Sequence, residues 1–206
     1  MFNRIVTQLI SGKFICKVSF HDGHNYLSDP VKFKAVDDYL RQIDLRVGTT
    51  ESGMAFYPAH ADVDDQGKKA AKAIFADMKN NIRPLVSFLD MVMRTTRDDN
   101  AISPGEKLEL NKMMNIIAQN PSLTEALRTV ANQTKSIPID GSDRKRLELI
   151  LKKFKNDGYL EEVNKEEEIY RFTGKVDYAK EVNNFLMEHD QISEEDEAFE
   201  ARRIPV

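Results

Sequence analysis

The sequence predicts a mainly α-helical chain with short β-hairpins, an α+β fold in which two small units are joined by a long helical connector. Three observations predict it. A basic amphipathic helix, a glycine stop and a tight hairpin follow one another between Ser142 and Lys175. A second helix-then-hairpin pattern runs from Asp29 to Tyr57. Between them lies a long stretch with the apolar period of a helix.

The later unit is the more informative. In "SDRKRLELILKKFKNDGYLEEVNKEEEIYRFTGK", Leu147, Ile150, Leu151 and Phe154 recur at i, i+3, i+4 and i+7, which places them on one helical stripe. Arg144, Lys145, Arg146, Lys152, Lys153 and Lys155 lie mostly off that stripe. Gly158 follows Asn156-Asp157, where the helix needs a left-handed cap. Tyr159-Leu160-Glu161-Glu162-Val163 and Ile169-Tyr170-Arg171-Phe172 are strand-like runs joined by the polar "NKEEE". Basic helix, glycine stop and two-stranded wing together have the sequence shape of a winged helix-turn-helix, and the chain reads as two such domains in tandem.

The remaining elements follow in chain order. Phe2 to Ile10 read as a helix with Ile5, Val6, Leu9 and Ile10 facing inward, stopped by Ser11-Gly12. "KFICKVSF", Lys13 to Phe20, is β-branched and aromatic and predicts a short strand. Asp29-Pro30 opens the next helix, with proline in the first turn where its missing N–H costs little. Phe33, Val36, Leu40 and Ile43 form its expected buried stripe, and Leu45-Arg46-Val47 with Met54-Ala55-Phe56-Tyr57 form the first hairpin around Thr50, Ser52 and Gly53.

Asp62 to Arg97 keeps helical phase through Ala71, Ile74, Phe75, Met78, Ile82, Leu85, Leu89 and Val92. Pro84 inside it predicts a kink or a restart near Asn80-Asn81. Met78, Met91 and Met93 read as core filler. Arg94 to Asn100 is a polar break. Ser103-Pro104-Gly105-Glu106 has the form of a capping box, predicting a helix that carries Leu108, Met113 or Met114, Ile116 and Ile117. Asn120-Pro121 ends that helix, and Ser122-Leu123-Thr124-Glu125 repeats the box for a helix through Ala131. "NQTKSIPIDGSD" is a loop whose Ser142 or Asp143 caps the basic helix. Asp177 to Glu188 gives a last helix with Val182, Phe185 and Leu186 apolar, and the acidic, aperiodic remainder reads as a flexible tail. The expected division is 1–62 for the first unit, 63–99 for the connector, 100–188 for the second unit and 189–206 for the tail.

Composition narrows the function classes. Charged residues make up 31% of the 206 and no apolar run approaches the ~20 residues that span a bilayer, so a soluble globular protein is expected. The start lacks the long apolar core and small-residue cleavage site of a secretory signal. The one cysteine, Cys16, excludes an intramolecular disulfide, fits a reducing cytoplasm and reads as a small buried residue beside Ile15. Net charge is −4, so any nucleic-acid contact must come from a local patch, which argues against an autonomous transcription factor.

Chemistry-bearing motifs are missing. His21 and His24 flank Asp22, yet two further ligands at metal-binding spacing are not visible, and a solvated turn is the better reading. The chain has no glycine-rich phosphate loop, GxSxG, HExxH or CxxC. Glu161-Glu162 and Glu166-Glu167-Glu168 read as a solvated acidic wing. No catalytic residue, cofactor or metal ligand is assigned. The basic helix remains, with six cations against Asp143, Glu148 and Asp157. In a DNA-reading winged helix this element enters the major groove and the wing touches phosphate, which three glutamates at the wing tip would oppose. Either the helix meets DNA without its wing, or the unit docks a protein; protein docking is favoured. The candidate partner- or DNA-binding residues are Arg144, Lys145, Leu149, Lys152 and Lys153, with Leu149 expected as an exposed apolar anchor between Lys145 and Lys152.

The chain resembles the MukE/MksE family, the tandem winged-helix (kite) subunits of bacterial Muk-type condensins. The likeness is carried by "FKAVDDYLRQIDLRVGTTESGMAFYPAHAD" and "RKRLELILKKFKNDGYLEEVNKEEEIYRFTGKV", in each of which a helix runs into a strand, a short turn and an aromatic strand. The MksE branch is the closer. The resemblance implies a non-enzymatic, cytoplasmic and nucleoid-associated subunit that forms a homodimer through its N-terminal unit. It implies binding to the middle of a kleisin (MukF/MksF-like), and through it to an SMC ATPase (MukB/MksB-like) on DNA. The roles implied are chromosome condensation and segregation, or plasmid defence. The alternative is a tandem winged-helix DNA-binding transcriptional regulator.

Overall fold

The computed structural model describes residues 1–61, 82–96, 102–134 and 141–185. Two units of the same plan account for them. The first is α1 (Phe2–Ile10), β1 (Ile15–Cys16), α2 (His21–Leu27), α3 (Pro30–Arg41), β2 (Leu45–Thr49) and β3 (Ala55–His60). The second is α4 (82–96), β4 (Lys107–Glu109), α5 (Leu110–Ala118), α6 (Pro121–Gln133), α7 (Asp143–Asn156), β5 (Leu160–Asn164), β6 (Ile169–Phe172) and α8 (175–185). Each unit holds one three-stranded antiparallel sheet, ordered β1-β3-β2 and β4-β6-β5, so the last strand lies centrally in both. Eight helices with two such sheets among the described residues make the expected α+β, tandem winged-helix fold.

Local chemistry explains the elements that sequence placed well. Asp29 caps α3 by accepting from the Val31 and Lys32 N–H groups, with Pro30 at the first position, and its carboxyl is held below the usual range by the Lys32 backbone bond. Ser142 caps α7 by accepting from the Lys145 N–H, and Gly158 ends that helix region at φ +83°. Leu147, Ile150, Leu151 and Phe154 are all buried, each contributing about 1.5–3 kcal/mol by leaving water. They pack with Phe88 of α4 and Phe172 of β6, the Phe88 and Phe154 rings 4.8 Å apart. Helix α4 therefore belongs to the second core, through Ile82, Leu85, Phe88, Met91 and Val92. Pro84 is buried within it; the Asn80-Asn81 restart point, the earlier part of the connector, the 135–140 loop and the 186–206 tail lie outside the described residues.

Several expectations are corrected. The strand expected over Lys13 to Phe20 is only Ile15–Cys16, and His21–Leu27 is a helix rather than a solvated turn. Helix α2 is held by one local and one tertiary contact: the Phe20 ring at its N-cap lies where a Gly23 side chain would be, and buried His24 bonds through Nε2 to the Gly53 carbonyl at 2.8 Å. Ile43 lies beyond the end of α3 and Ile10 at the end of α1, and both are exposed rather than buried. Arg94, Thr95 and Thr96 continue α4 instead of breaking it. The Ser103–Glu106 box forms one of its bonds, Ser103 N–H to Glu106 Oε1 at 2.7 Å, but starts no helix. Gly105 turns at φ +91°, and Lys107–Glu109 pairs with β6, so the helix begins only at Leu110. The α6 cap is Asn120, whose side chain accepts from the Ser122 N–H, rather than Ser122 itself.

The two units pack against each other at Gly174. Its N–H donates to the Cys16 Sγ at 2.9 Å, and a Cβ placed there would sit 2.7 Å from the Ala55 Cβ and 2.8 Å from the Met54 carbonyl oxygen. Around this point Phe14, Tyr57 and Tyr178 form a ring cluster with centroids 4.6–5.5 Å apart. The Lys175 ammonium lies over Phe14 and Tyr159, and the Glu51 N–H donates to Glu181 Oε1 at 2.8 Å. Cys16 is thus a buried thiol at the interface.

Two outcomes are expected. Gly174→Ala forces apart the backbone at Met54 and lowers stability to urea by about 1–3 kcal/mol. Asp37 accepts from the Val47 N–H at 2.8 Å and pairs with Arg41 at 2.7 Å. Burial raises its pKa, but these two contacts outweigh burial and leave the carboxyl below its ordinary 3.8. A carboxyl with a depressed folded pKa stabilises fully above the unfolded value and loses that contribution as pH falls through the folded one. Asp37→Asn is expected to cost about 1 kcal/mol at pH 7, with the gap narrowing below pH 3.8 in urea titrations.

Candidate docking surface on the second unit

The sequence-selected residues all sit on α7. Lys145, Leu149 and Lys152, spaced by four and three residues, share the face turned away from the buried stripe, while Arg144 and Lys153 flank it on opposite sides. Arg144 and Lys152 are eight residues apart, about 12 Å along the helix, so the face is a stripe rather than a cluster. Leu149 departs from expectation. It is half-buried and packed against the second core, not an exposed anchor.

The electrostatics of α7 were hidden in the sequence. Arg144 donates from Nη2 to Glu168 at 2.6 Å, from Nη1 to Asn111 at 2.8 Å and from Nε to Glu148 at 3.1 Å. Its pKa is raised, first by the Glu168 bond. Lys145 pairs with Glu148 at 3.3 Å, Arg146 with Asp143 at 2.6 Å and Lys153 with Asp157 at 2.8 Å. Lys155 pairs with Glu162 across the turn into β5, and that bond is the first cause of its raised pKa. Five of the six cations are thereby matched to carboxylates, and among the described residues Lys152 makes no ion pair.

Three of these pairs are local to α7, at i,i+3 or i,i+4, and the wing supplies the other two. Asn164 accepts from the Glu166 and Glu167 N–H groups, and Glu168 adopts a left-handed φ of +53°. That turn brings the Glu168 carboxylate back to Arg144, while its carbonyl accepts from the Leu110 N–H at 3.2 Å. The acidic wing is folded onto the basic helix. Sequence reasoning missed Asn111, Glu162 and Glu168 as members of the surface, because their pairing requires the hairpin register. The opposite charges at fixed distance from the helix were the available signal.

Among the described residues, no three His, Cys, Asp or Glu side chains gather so as to hold a metal ion, and no helix is long and apolar enough to cross a membrane. Two winged-helix units packed through a shared interface define a tandem winged-helix protein. The chain belongs to the MksE family of condensin complex proteins: the family model described as condensin complex protein MksE matches residues 1–183, covering both units. No curated protein matches the chain.

Removing the Arg144 clamp gives a local readout. Arg144→Ala is expected to speed amide hydrogen exchange at Glu168 and Ile169 while exchange in the α7 core at Ile150 and Leu151 stays as in the parent chain.

Proposed function

We propose that this chain is a non-enzymatic accessory subunit of a bacterial condensin-like SMC complex of the MksBEF or MukBEF type. In this reading it binds the extended middle of a kleisin (MukF/MksF-like) and forms a homodimer through the first unit. Through the kleisin it joins and regulates an SMC ATPase (MukB/MksB-like) acting on DNA, at the nucleoid in the cytoplasm. The outcome is chromosome organisation and segregation, or plasmid defence. The match of the MksE family to residues 1–183 carries this reading.

The charge pattern of α7 supports a protein partner. A phosphate backbone gains affinity by releasing counterions from cations that are free to meet it. Here five of six cations already hold carboxylates, so a duplex would have to displace them. A polypeptide can instead use both signs of the surface. The contact face in this reading is Lys145, half-buried Leu149 and Lys152, flanked by Arg144 and Lys153. An extended partner that orders on binding spends several kcal/mol on ordering, so a large interface is expected.

The test is co-purification with the neighbouring gene products and mass by light scattering. A complex holding two copies of this chain with a kleisin-like protein is expected, and Lys145→Glu with Lys152→Glu lowers its yield about tenfold without changing thermal stability. Tight, salt-sensitive binding of the isolated chain to duplex DNA would instead establish the regulator.

A further inference from the structure

A cleft of about 570 Å³ opens between the two units beside the Gly174 contact. From the first unit it is lined by Arg4, Lys13 and Phe14, and from the second by Lys155, Asp157, Glu161 and Lys175. The acids do not balance the cations there. Asp157 is held by Lys153, and Lys155 by Glu162, which leaves Glu161 against Arg4, Lys13 and Lys175. None of these three cations has a carboxylate partner among the described residues. Arg4 lies 4.3 Å over the Phe20 ring, and the Lys175 ammonium, between Phe14 and Tyr159, donates to the Asp157 carbonyl at 2.8 Å.

The anionic counterpart is in the same chain. Residues 186–206 carry seven carboxylates and two arginines, while residues 1–185 carry 28 basic and 27 acidic residues. The net charge of −4 is therefore a property of the tail, and the remainder is at +1. Reach is sufficient. Helix α8 begins at the cleft with Lys175 and runs about 15 Å to residue 185. The eight residues from Leu186 to Ser193 span up to about 26 Å when extended, enough to return Glu194-Glu195-Asp196-Glu197 to the cleft.

We propose that the acidic segment 188–200 docks in the cleft between the two winged-helix units, on Arg4, Lys13 and Lys175, as an intramolecular polyanion that any external anionic partner of this cleft must displace. The inference is independent of the accessory-subunit reading, since it needs only this chain. Burial pulls the Lys175 ammonium below its ordinary pKa, a cost that an incoming carboxylate relieves.

Zero-length carbodiimide crosslinking of the full chain at low concentration, read by mass spectrometry on an equal mixture of light and heavy protein, tests it. Expected are links from carboxylates between Glu188 and Glu200 to Lys13 and Lys175, confined to light–light and heavy–heavy pairs and lost at high salt. Arg4→Glu with Lys13→Glu, both exposed and so tolerated by the fold, should cut the Lys175 links about fivefold or more. Links spread over remote lysines such as Lys112 and Lys165 overturn the proposal, as does the lack of tail links. Light–heavy pairs overturn it too, by assigning the tail to a second copy.

Discussion

The close approach at Gly174 is the constraint on which the arrangement of the two units depends. A backbone can come this near to the Met54–Ala55 turn only where no side chain intervenes, and the contact is sealed by a hydrogen bond to a sulfur rather than to an oxygen. Its position matters. Gly174 joins β6 to α8, Met54 and Ala55 lead into β3, and Cys16 lies on β1. The central strand of each sheet therefore feeds the shared interface, so displacing one unit disturbs both hydrogen-bonded sheets. The ring cluster of Phe14, Tyr57 and Tyr178 then excludes water from a contact that holds a lysine, a thiol and a carboxylate at its edges. Tyr57 and Tyr178 show the effect of that exclusion, their hydroxyls pushed by burial above the ordinary range.

A second consequence concerns how a winged helix is used. The wing and recognition helix of a DNA-reading domain leave cations pointing outward, and affinity follows from the number that meet phosphate. In the second unit the wing returns carboxylates to the helix through Glu168 and Glu162. Each exposed pair is worth little to stability, so the pairs are better understood as setting the surface potential than as holding the fold. The same topology that elsewhere builds a phosphate-binding surface here builds a mixed-charge one.

Legibility in the sequence followed the range of the interactions. The α7 stripe, the Asp29 and Ser142 caps and the Gly158 stop depend on neighbours within a few residues, and each was readable. Helix α2 was not, because "HDGHNYL" has no apolar stripe and its buried His24 is held by the Gly53 carbonyl, 29 residues away in sequence. Strand β4 was misread for a related reason. The capping-box bond forms, but pairing of Leu108 with Tyr170 across the sheet decides the conformation. The candidate face was half legible: its cations and the local partners Glu148 and Asp157 stand within four residues of each other, whereas the Arg144 partners Asn111 and Glu168 and the packing of Leu149 are set by tertiary contacts.

The sheet edges limit how an extended partner could bind. Strand addition needs a free row of N–H and C=O groups. At the β2 edge the Asp37 carboxylate already takes the Val47 N–H, removing one donor from the outer row. At the β5 edge the register shifts between Glu162 and Asn164, a bulge-like irregularity that interrupts the ladder. The β2 and β5 edges, two of the four, are therefore blunted near their middles. Among the described residues, a groove of about 260 Å³ lies between α4 and α8, lined by Leu85, Val86, Leu89, Met93 and Ala179. Its walls are apolar and its rim carries Asp90 and Lys180, so it differs in character from the charged face of α7. Opposition to strand addition at β2 and β5 agrees with a contact made through side chains, as proposed for the α7 face.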